Sequence, residues 1–336
     1  MCNKCMICQE NEATKTNSHI VPSFLLAMFT SYNGSCKRDT EVIFTITDTK
    51  DSVYTGRSVP ETKIENLFNN ANLTEERIEE ELSKNTSAKD NVFCPQCEKR
   101  LADLLESPYA QHLKNNQNIA DETALFFWIS VVWRMSATQD YGFSLGDDLN
   151  QCLQLYLKSY FVQKEDNLST ENTVKCVPFR YKLIRCKDYS KSESGFLFAQ
   201  FKDDILDIIL GDFILRVFFK VNLDFPNPSF FGAEKYFAEC EINKGCSKES
   251  ILELSVDSFK TIIDAFVQYA ANIKREAIEK RLDLIWQKIG DGSMPNNLKQ
   301  KFFDLYFSDS VKIGDRHEKK RFVEVFTKIL SEYFRK

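Results

Sequence analysis

The pattern of hydrophobic and polar positions changes its period several times along the chain, and each change predicts a different element. Residues 41–56 alternate apolar and polar side chains around a polar turn, which predicts a β-hairpin. Residues 61–84 are mostly polar and predict a surface helix. The apolar segment 121–137 predicts a buried helix, and 150–162 predicts another helix.

A further helix is predicted within residues 91–108, NVFCPQCEKRLADLLESP. Leu101, Leu104 and Leu105 fall on one face of that helix, and Pro108 is expected to end it because proline lacks the backbone N–H. The period of two returns between Thr173 and Phe225. It predicts an antiparallel sheet of about three or four strands, the first of them spanning 173–186.

Helical spacing returns from Ser255 to the C-terminus, with an apolar stripe running from Phe259 to Ala270. The chain therefore predicts an α+β protein with a small antiparallel sheet and a helical C-terminal part. We expect two domains, a compact module over 1–118 that contains an insertion and a mixed helical and sheet domain over 119–336.

Composition narrows the class of protein. The 336 residues carry a net charge of −5 with a pI near 5.5, which argues against a protein that coats nucleic acid. No run of apolar residues reaches the length of a membrane span, and the N-terminus lacks the apolar core of a secretory signal. The eleven cysteines are therefore expected in the reducing cytoplasm, where metal binding is commoner than disulfide formation.

The charge is unevenly distributed along the chain. Residues 272–336 contain 15 Lys and Arg against 10 Asp and Glu, so this tail is basic within an acidic chain. A phosphate-facing surface is one interpretation of this imbalance. We favour the simpler one, in which solvated helix faces carry intrahelical ion pairs.

Two Cys-x2-Cys pairs have the spacing of metal ligands. Cys94 and Cys97 form one pair, and at the N-terminus either Cys2 with Cys5 or Cys5 with Cys8 forms the other. Each such turn places two sulfur atoms on one edge of a tetrahedron, and zinc is commonly held by four of them. We predict a structural zinc ion, with Cys36 and Cys246 as outside candidates for ligands. The remaining cysteines are expected to be small buried apolar groups.

At these residues the chain resembles the zinc-containing HNH, or ββα-metal, endonucleases. In that family a Cys-x2-Cys pair precedes a strand carrying a histidine string, and a second pair opens the following helix. The corresponding strings here are Cys5-x2-Cys8, Ser18-His19-Ile20-Val21-Pro22 and Cys94-x2-Cys97-Glu98. The spacing to the histidine in that family favours Cys5 and Cys8 as the first ligand pair. The resemblance covers about 110 residues and implies a treble-clef zinc module.

A bacterial subgroup of that family, often found beside phage-defence genes, carries a similar histidine string. It also carries an aromatic string that resembles Ser130-Val131-Val132-Trp133-Arg134-Met135-Ser136. The resemblance implies a metal-dependent endonuclease that acts on nucleic acid in antiviral defence. The alternative is a non-catalytic binding or regulatory module on the same scaffold. A protein partner, or a second copy, is expected to bind through the C-terminal helical part, and no membrane is expected.

The resemblance assigns roles to three residues. His19 would be the general base, and Ser18 and Glu98 would hold a catalytic divalent cation, Mg²⁺ or Mn²⁺. Ser18 stands where the family usually has a carboxylate, and Glu98 stands where it usually has His or Asn, so water and substrate phosphate must supply most ligands. The family's middle asparagine cannot be assigned among four candidates, which are Asn66, Asn69, Asn70 and Asn72.

Three other polar residues need an interpretation. Arg134 lies in an apolar helix, and we expect an internal carboxylate as its partner. His112 and His317 lie among polar residues and are expected at the surface.

Overall fold

The computed structural model describes residues 3–30, 42–46, 51–55, 74, 88–115, 117–193, 195–220, 225–289, 292–308 and 319–334. The predicted hairpin is confirmed in its two strands, which pair in an antiparallel register from Val42–Thr55 to Ile46–Asp51. Four predictions lie outside the described residues: the helix over 61–84, the possible ligands Cys2 and Cys36, the four asparagines and His317.

Within these ranges the strands are β1 (Ser18–His19), β2 (Val42–Ile46), β3 (Asp51–Thr55), β4 (Ala88–Lys89), β5 (Arg180–Arg185), β6 (Leu197–Lys202), β7 (Ile205–Leu210), β8 (Phe213–Phe218) and β9 (Leu252–Glu253). The helices are α1 (Ser23–Thr30), α2 (Pro95–Leu101), α3 (Ser107–Asn115), α4 (Asp121–Thr138), α5 (Asp147–Glu165), α6 (Glu171–Cys176), α7 (Tyr189–Ser192), α8 (Glu234–Glu239), α9 (Val256–Trp286), α10 (Asn296–Tyr306) and α11 (Lys319–Tyr333). A π-helical turn, Ala102–Glu106, joins α2 to α3. The protein is α+β, as predicted.

The chain divides into two compact units. The first comprises Met1–Cys36 and Thr86–Ile263, and the second comprises Lys37–Asn85 and Asp264–Lys336. The predicted domain boundary after residue 118 stays a prediction. None of the described helices has both the length and the apolar character needed to cross a membrane.

The larger sheet has the strand order β6-β7-β8-β5-β9. Strands β5 to β8 pair with one another in antiparallel fashion, which confirms the predicted small antiparallel sheet, and β9 adds a parallel strand beside β5. A two-residue turn, Asp203-Asp204, joins β6 to β7. Both residues have positive φ, and short aspartates tolerate this conformation at the tip of a hairpin.

The predicted strand over 173–186 is wrong in its first part. Thr173 and Val174 lie in the short helix α6, and the strand begins only at Arg180. Pro178 separates the two elements, because it disfavours the helical conformation at Val177, which is extended at φ −60° and ψ 127°. Too few residues precede Pro178 for alternation to distinguish a strand from one helical turn.

The prediction that Pro108 ends the helix is also wrong. Pro108 is the second residue of α3, directly after the π-helical turn. In that turn the N–H of Ser107 bonds the carbonyl of Ala102, five residues back. In a regular α-helix the ring of Pro108 would clash with the preceding turn, and proline could not donate its backbone hydrogen bond. The wider π-helical turn falls at this position, so the chain stays helical.

A polar ladder crosses the sheet inside the first unit. Lys182, Arg216 and Asp207 face one another in register on β5, β8 and β7. Arg216 is fully buried, and its Nε and Nη2 donate to the two carboxylate oxygens of Asp207 at 2.6 and 2.8 Å. Its Nη1 donates to Asn227 at 2.6 Å. Burial raises the pKa of Asp207 while Arg216 lowers it, and burial lowers the pKa of Lys182.

We expect Asp207→Asn to lower the free energy of unfolding by about 3–5 kcal/mol, because it leaves a buried guanidinium without its counter-charge. The matched control is Asp204→Asn, whose carboxylate is exposed and lies 3.8 Å from Lys220. That change should cost less than about 1 kcal/mol. Urea unfolding measures both, and equal losses would contradict the assignment of Asp207 as the essential counter-ion.

Candidate metal centre and adjoining polar site

The structure brings the four predicted cysteines together. Cys5, Cys8, Cys94 and Cys97 are all buried, and their sulfur atoms lie within 4.8 Å of one another. Such a group can hold a structural metal ion such as zinc. In the described parts of the chain this is the one cluster of cysteine, histidine or carboxylate groups with that geometry. Cys246, an outside candidate, is exposed.

Backbone hydrogen bonds place the two cysteine pairs side by side. In the first turn the Cys5 N–H donates to Asn11 O at 2.8 Å, and the Gln9 N–H donates back to Cys5 O at 2.9 Å. The Met6 N–H donates to Val92 O at 3.0 Å, and the Lys15 N–H donates to Phe93 O at 3.0 Å. The turn that carries the first pair is therefore joined to the segment just before the second.

The start of α2 supplies a backbone donor to one of the sulfurs. Cys94 is the N-cap of α2, and its Sγ accepts the N–H of Cys97 at 3.4 Å. A hydrogen bond with Cys97 lowers the pKa of Cys5 to about 4, whereas burial raises the pKa of Cys94, and the hydrogen bond with Cys5 raises that of Cys97. A thiolate is the form that binds a metal ion, so a bound ion would lower the pKa of all four thiols.

Helix α5 holds both halves of the cluster. Gln154 donates to Ile7 O at 2.6 Å, and Lys158 donates to Cys8 O at 3.2 Å. These residues are four positions apart and therefore share one face of the helix. Near the end of α5, Glu165 accepts two hydrogen bonds from Arg100 of α2. One helix thus contacts the first cysteine turn and the helix that carries the second pair.

The histidine string forms a short strand beside this cluster. In β1, Ser18 pairs with Lys89 and His19 pairs with Ala88 of β4. His19 is 7% exposed, and its Nδ1 lies 3.3 Å from Asn17 O. A carbonyl oxygen only accepts, so Nδ1 is the donor in this hydrogen bond.

Ser18 and Glu98 lie close together across this strand–helix junction. Burial raises the pKa of Glu98, and the Ser18 hydroxyl and Arg134 lower it. The buried atoms Ser18 Oγ and Glu98 Oε2 nevertheless have no hydrogen-bond partner of normal geometry among the described residues. The Ser18 hydroxyl can donate to the Glu98 carboxylate after a small side-chain adjustment, and a water or a cation between the two oxygens would also satisfy them.

The expected carboxylate partner of Arg134 is confirmed. Its Nη1 lies 2.8 Å from Glu106 Oε1, and the guanidinium is almost fully buried. The sequence pattern did not show that the same nitrogen donates to the carbonyl of His19 at 2.9 Å.

His112, which was expected at the surface, is half-buried, and its Nδ1 lies 2.7 Å from Gln117 O.

One polar cluster was missed altogether. The carboxylate of Glu249 accepts hydrogen bonds from Tyr109, Tyr181 and Trp128. Burial raises the pKa of Glu249, and it also raises the pKa of both tyrosines well above the usual value. The four residues are far apart in the sequence, and no spacing rule links them.

Comparisons with family models, with curated proteins and with solved structures give no match. A function for this chain must therefore be argued from its own residues.

We expect the purified protein to hold about one equivalent of a thiophilic metal ion, because the cluster supplies one set of four sulfurs. Cys97→Ser should lose most of that metal and lower the thermal unfolding midpoint, since binding stabilises the folded state. Elemental analysis and a melting curve measure the two effects. The control is Cys176→Ser, because Cys176 is exposed and the expectation that it is buried was wrong. Equal metal content in both variants would show that the cluster is not the binding site.

Proposed function

We propose that this protein is a zinc-stabilised, metal-dependent endonuclease of the HNH type, acting on nucleic acid in bacterial antiviral defence. One observation carries the proposal. The cysteine cluster joins the first cysteine turn to the helix that carries Glu98, and the buried Ser18 hydroxyl, next to His19 in the sequence, interacts with the buried carboxylate of Glu98. The order of two paired strands and a helix also agrees with what the resemblance implies.

The ion at the four cysteines is proposed to be zinc. A site of four thiolates suits tetrahedral Zn²⁺, with Zn–S distances of about 2.3 Å. All four positions would be filled by protein sulfur, so this ion has no open position for substrate and its role would be structural.

Ser18 and Glu98 fit a second, hard cation in a limited way. A hydroxyl and a carboxylate are oxygen ligands of the kind that Mg²⁺ or Mn²⁺ prefers, and neither Ser18 Oγ nor Glu98 Oε2 makes a hydrogen bond of normal geometry within the described residues. When bound, such a cation would polarise the scissile phosphate and stabilise the leaving oxygen. The chain itself would supply two ligands and would depend on water and phosphate for the others.

His19 is proposed as the general base. Its Nδ1 lies 3.3 Å from Asn17 O, a contact that orients the imidazole, and in the neutral ring that donates there the basic nitrogen would be Nε2. Imidazole titrates near neutral pH and can accept a proton from an attacking water.

The burial of the same residues favours a second candidate function. Ser18 is fully enclosed and His19 is nearly so, which also suits a scaffold whose histidine only packs. The chain would then be a zinc-stabilised binding or regulatory module without nuclease activity.

The C-terminal helical part is proposed to contact a protein partner or a second copy. The apolar stripe from Phe259 to Ala270 is buried at Phe259, Ile262, Ile263 and Phe266, so most of it is not a free surface. Support comes instead from exposed apolar side chains on α9 and α11, among them Leu284 and Val323.

The nuclease proposal is tested with wild-type protein on single- and double-stranded DNA and RNA, in Mg²⁺, Mn²⁺ and EDTA. We expect cleavage with a divalent cation and none in EDTA. His19→Ala should cut about 10²–10⁴-fold more slowly, because it lacks the base, while keeping its zinc and its fold. The matched control is His112→Ala, which should cut like the wild type. If no cation supports cleavage, or if His19→Ala cuts normally, the binding module replaces the nuclease.

Glu98→Gln should lower activity most at low Mg²⁺, because the amide is a weaker ligand than the carboxylate. Titration of cleavage rate against Mg²⁺ measures this as an increase in the concentration needed for half-maximal rate. An unchanged Mg²⁺ dependence would show that Glu98 does not bind the cation.

A further inference from the structure

Arg134 makes four hydrogen bonds from an almost fully buried guanidinium group. Its Nη1 donates to His19 O at 2.9 Å and to Glu106 Oε1 at 2.8 Å. Its Nε donates to Ser130 O at 3.1 Å, within its own helix α4. Arg134 therefore joins β1 to the helical segment that begins with α2, and it does so from a third element.

We propose that Arg134 is a positioning residue, which fixes the backbone of His19 relative to Glu98 through its bonds to His19 O and Glu106. This inference rests on the proposed nuclease function. It adds a residue that touches neither substrate nor cation and acts through the general base.

The first argument is the weakness of β1 itself. The strand has only two residues, and it pairs with β4 at only two positions. A pairing this short constrains the direction of a side chain poorly. The bond from Arg134 holds the peptide unit that follows the Cα of His19, and it thereby limits rotation of the residue that carries the imidazole. A shift of about 1 Å in a reacting group can cost about 10²-fold in rate.

The second argument is the π-helical turn between α2 and α3. Glu98 and Glu106 lie in one continuous helical segment, eight positions apart, and Glu106 ends the π turn. The widened turn changes the direction of Glu106 relative to a regular helix and lets it meet Arg134. Arg134 and Glu106 both act electrostatically on Glu98, so the three side chains form one charge cluster.

The third argument is the choice of side chain. A guanidinium presents several donors in a rigid plane and can reach a carbonyl and a carboxylate at once, whereas an ammonium is a point charge on a flexible stem. Burying this charge is costly, so the counter-ion Glu106 is required for Arg134 to act as a positioning residue. Arg134→Lys keeps the charge but should not hold both partners, and Glu106→Gln keeps an acceptor but removes the counter-charge.

The matched control is Arg180, which is also buried but donates to the carbonyls of Val177, Phe179 and Lys175. We expect Arg134→Lys and Glu106→Gln to lower kcat about 10–100-fold with KM changed less than about threefold. Arg180→Lys should lose similar stability and keep kcat. Zinc content, measured in parallel, should be unchanged in all three variants.

A second readout does not depend on cleavage. The sequence has three histidines, so the imidazole ¹H resonances can be assigned with His19→Ala and His112→Ala. Mn²⁺ added to wild type should broaden the His19 resonance, because Ser18, a proposed ligand of the cation, directly precedes His19. In Arg134→Lys this broadening should need a higher Mn²⁺ concentration or disappear, and in Arg180→Lys it should match the wild type.

The outcomes separate the two proposals. If wild type cuts and Arg134→Lys loses no more kcat or Mn²⁺ broadening than Arg180→Lys, the positioning role is overturned and the nuclease stands. If wild type neither cuts nor shows broadening with any divalent cation, both are overturned. A selective loss of kcat and of broadening in Arg134→Lys and Glu106→Gln supports the inference.

Discussion

The closure of two distant segments by four cysteine sulfurs is the constraint on which the candidate site depends. Cys8 and Cys94 are 86 positions apart, yet their sulfurs lie 3.9 Å from each other. Bringing such distant segments together costs loop-closure entropy, which the few backbone bonds between them offset only in part. A bound metal ion would supply the remainder, since its binding free energy becomes folding free energy. This closure joins the helix that carries Glu98 to the N-terminal segment that leads to His19.

The surrounding helices make the constraint rigid. Helix α5 contacts the first cysteine turn through Gln154 and Lys158, and α4 contacts β1 through Arg134. Behind them, aromatic rings pack closely. Tyr109 stacks on Phe127 with centroids 3.9 Å apart. Because this core is dense, a shift of α4 would be transmitted to β1 through Arg134 and would not be absorbed by a gap.

Local chemistry made part of the site predictable from sequence. A Cys-x2-Cys turn is a short-range feature, so its spacing alone indicated metal ligands. The pattern of apolar positions predicted α4, α5 and the sheet, with small errors at their ends. The carboxylate partner of Arg134 was also predictable in kind, because a buried guanidinium requires one. That partner's identity was not, since Glu106 lies at the end of a π turn that no propensity indicates.

Long-range contacts were not predictable for a related reason. The cluster around Glu249 and the ion pair of Asp207 with Arg216 each join residues whose proximity is set by the packing of whole elements. Alternation placed Asp207 and Arg216 on strands, but their register depends on the Gly211-Asp212 turn that joins β7 to β8. The wrong predictions at Thr173 and Pro108 have a local origin. The effect of Pro178 on the residues before it was underestimated, and the effect of Pro108 on its helix was overestimated.

The charge balance at the candidate site has a consequence for the order of binding under the proposed function. Glu98 interacts with one other carboxylate, Glu106, and with two cations, Arg134 and Lys15. The negative charge that Glu98 offers a divalent ion is therefore largely balanced before the ion arrives. Ser18 adds a neutral oxygen where a second carboxylate would add charge. A phosphate group would supply the missing negative charge, so the cation should bind more tightly with nucleic acid than without it, and each should raise the affinity of the other by the same factor.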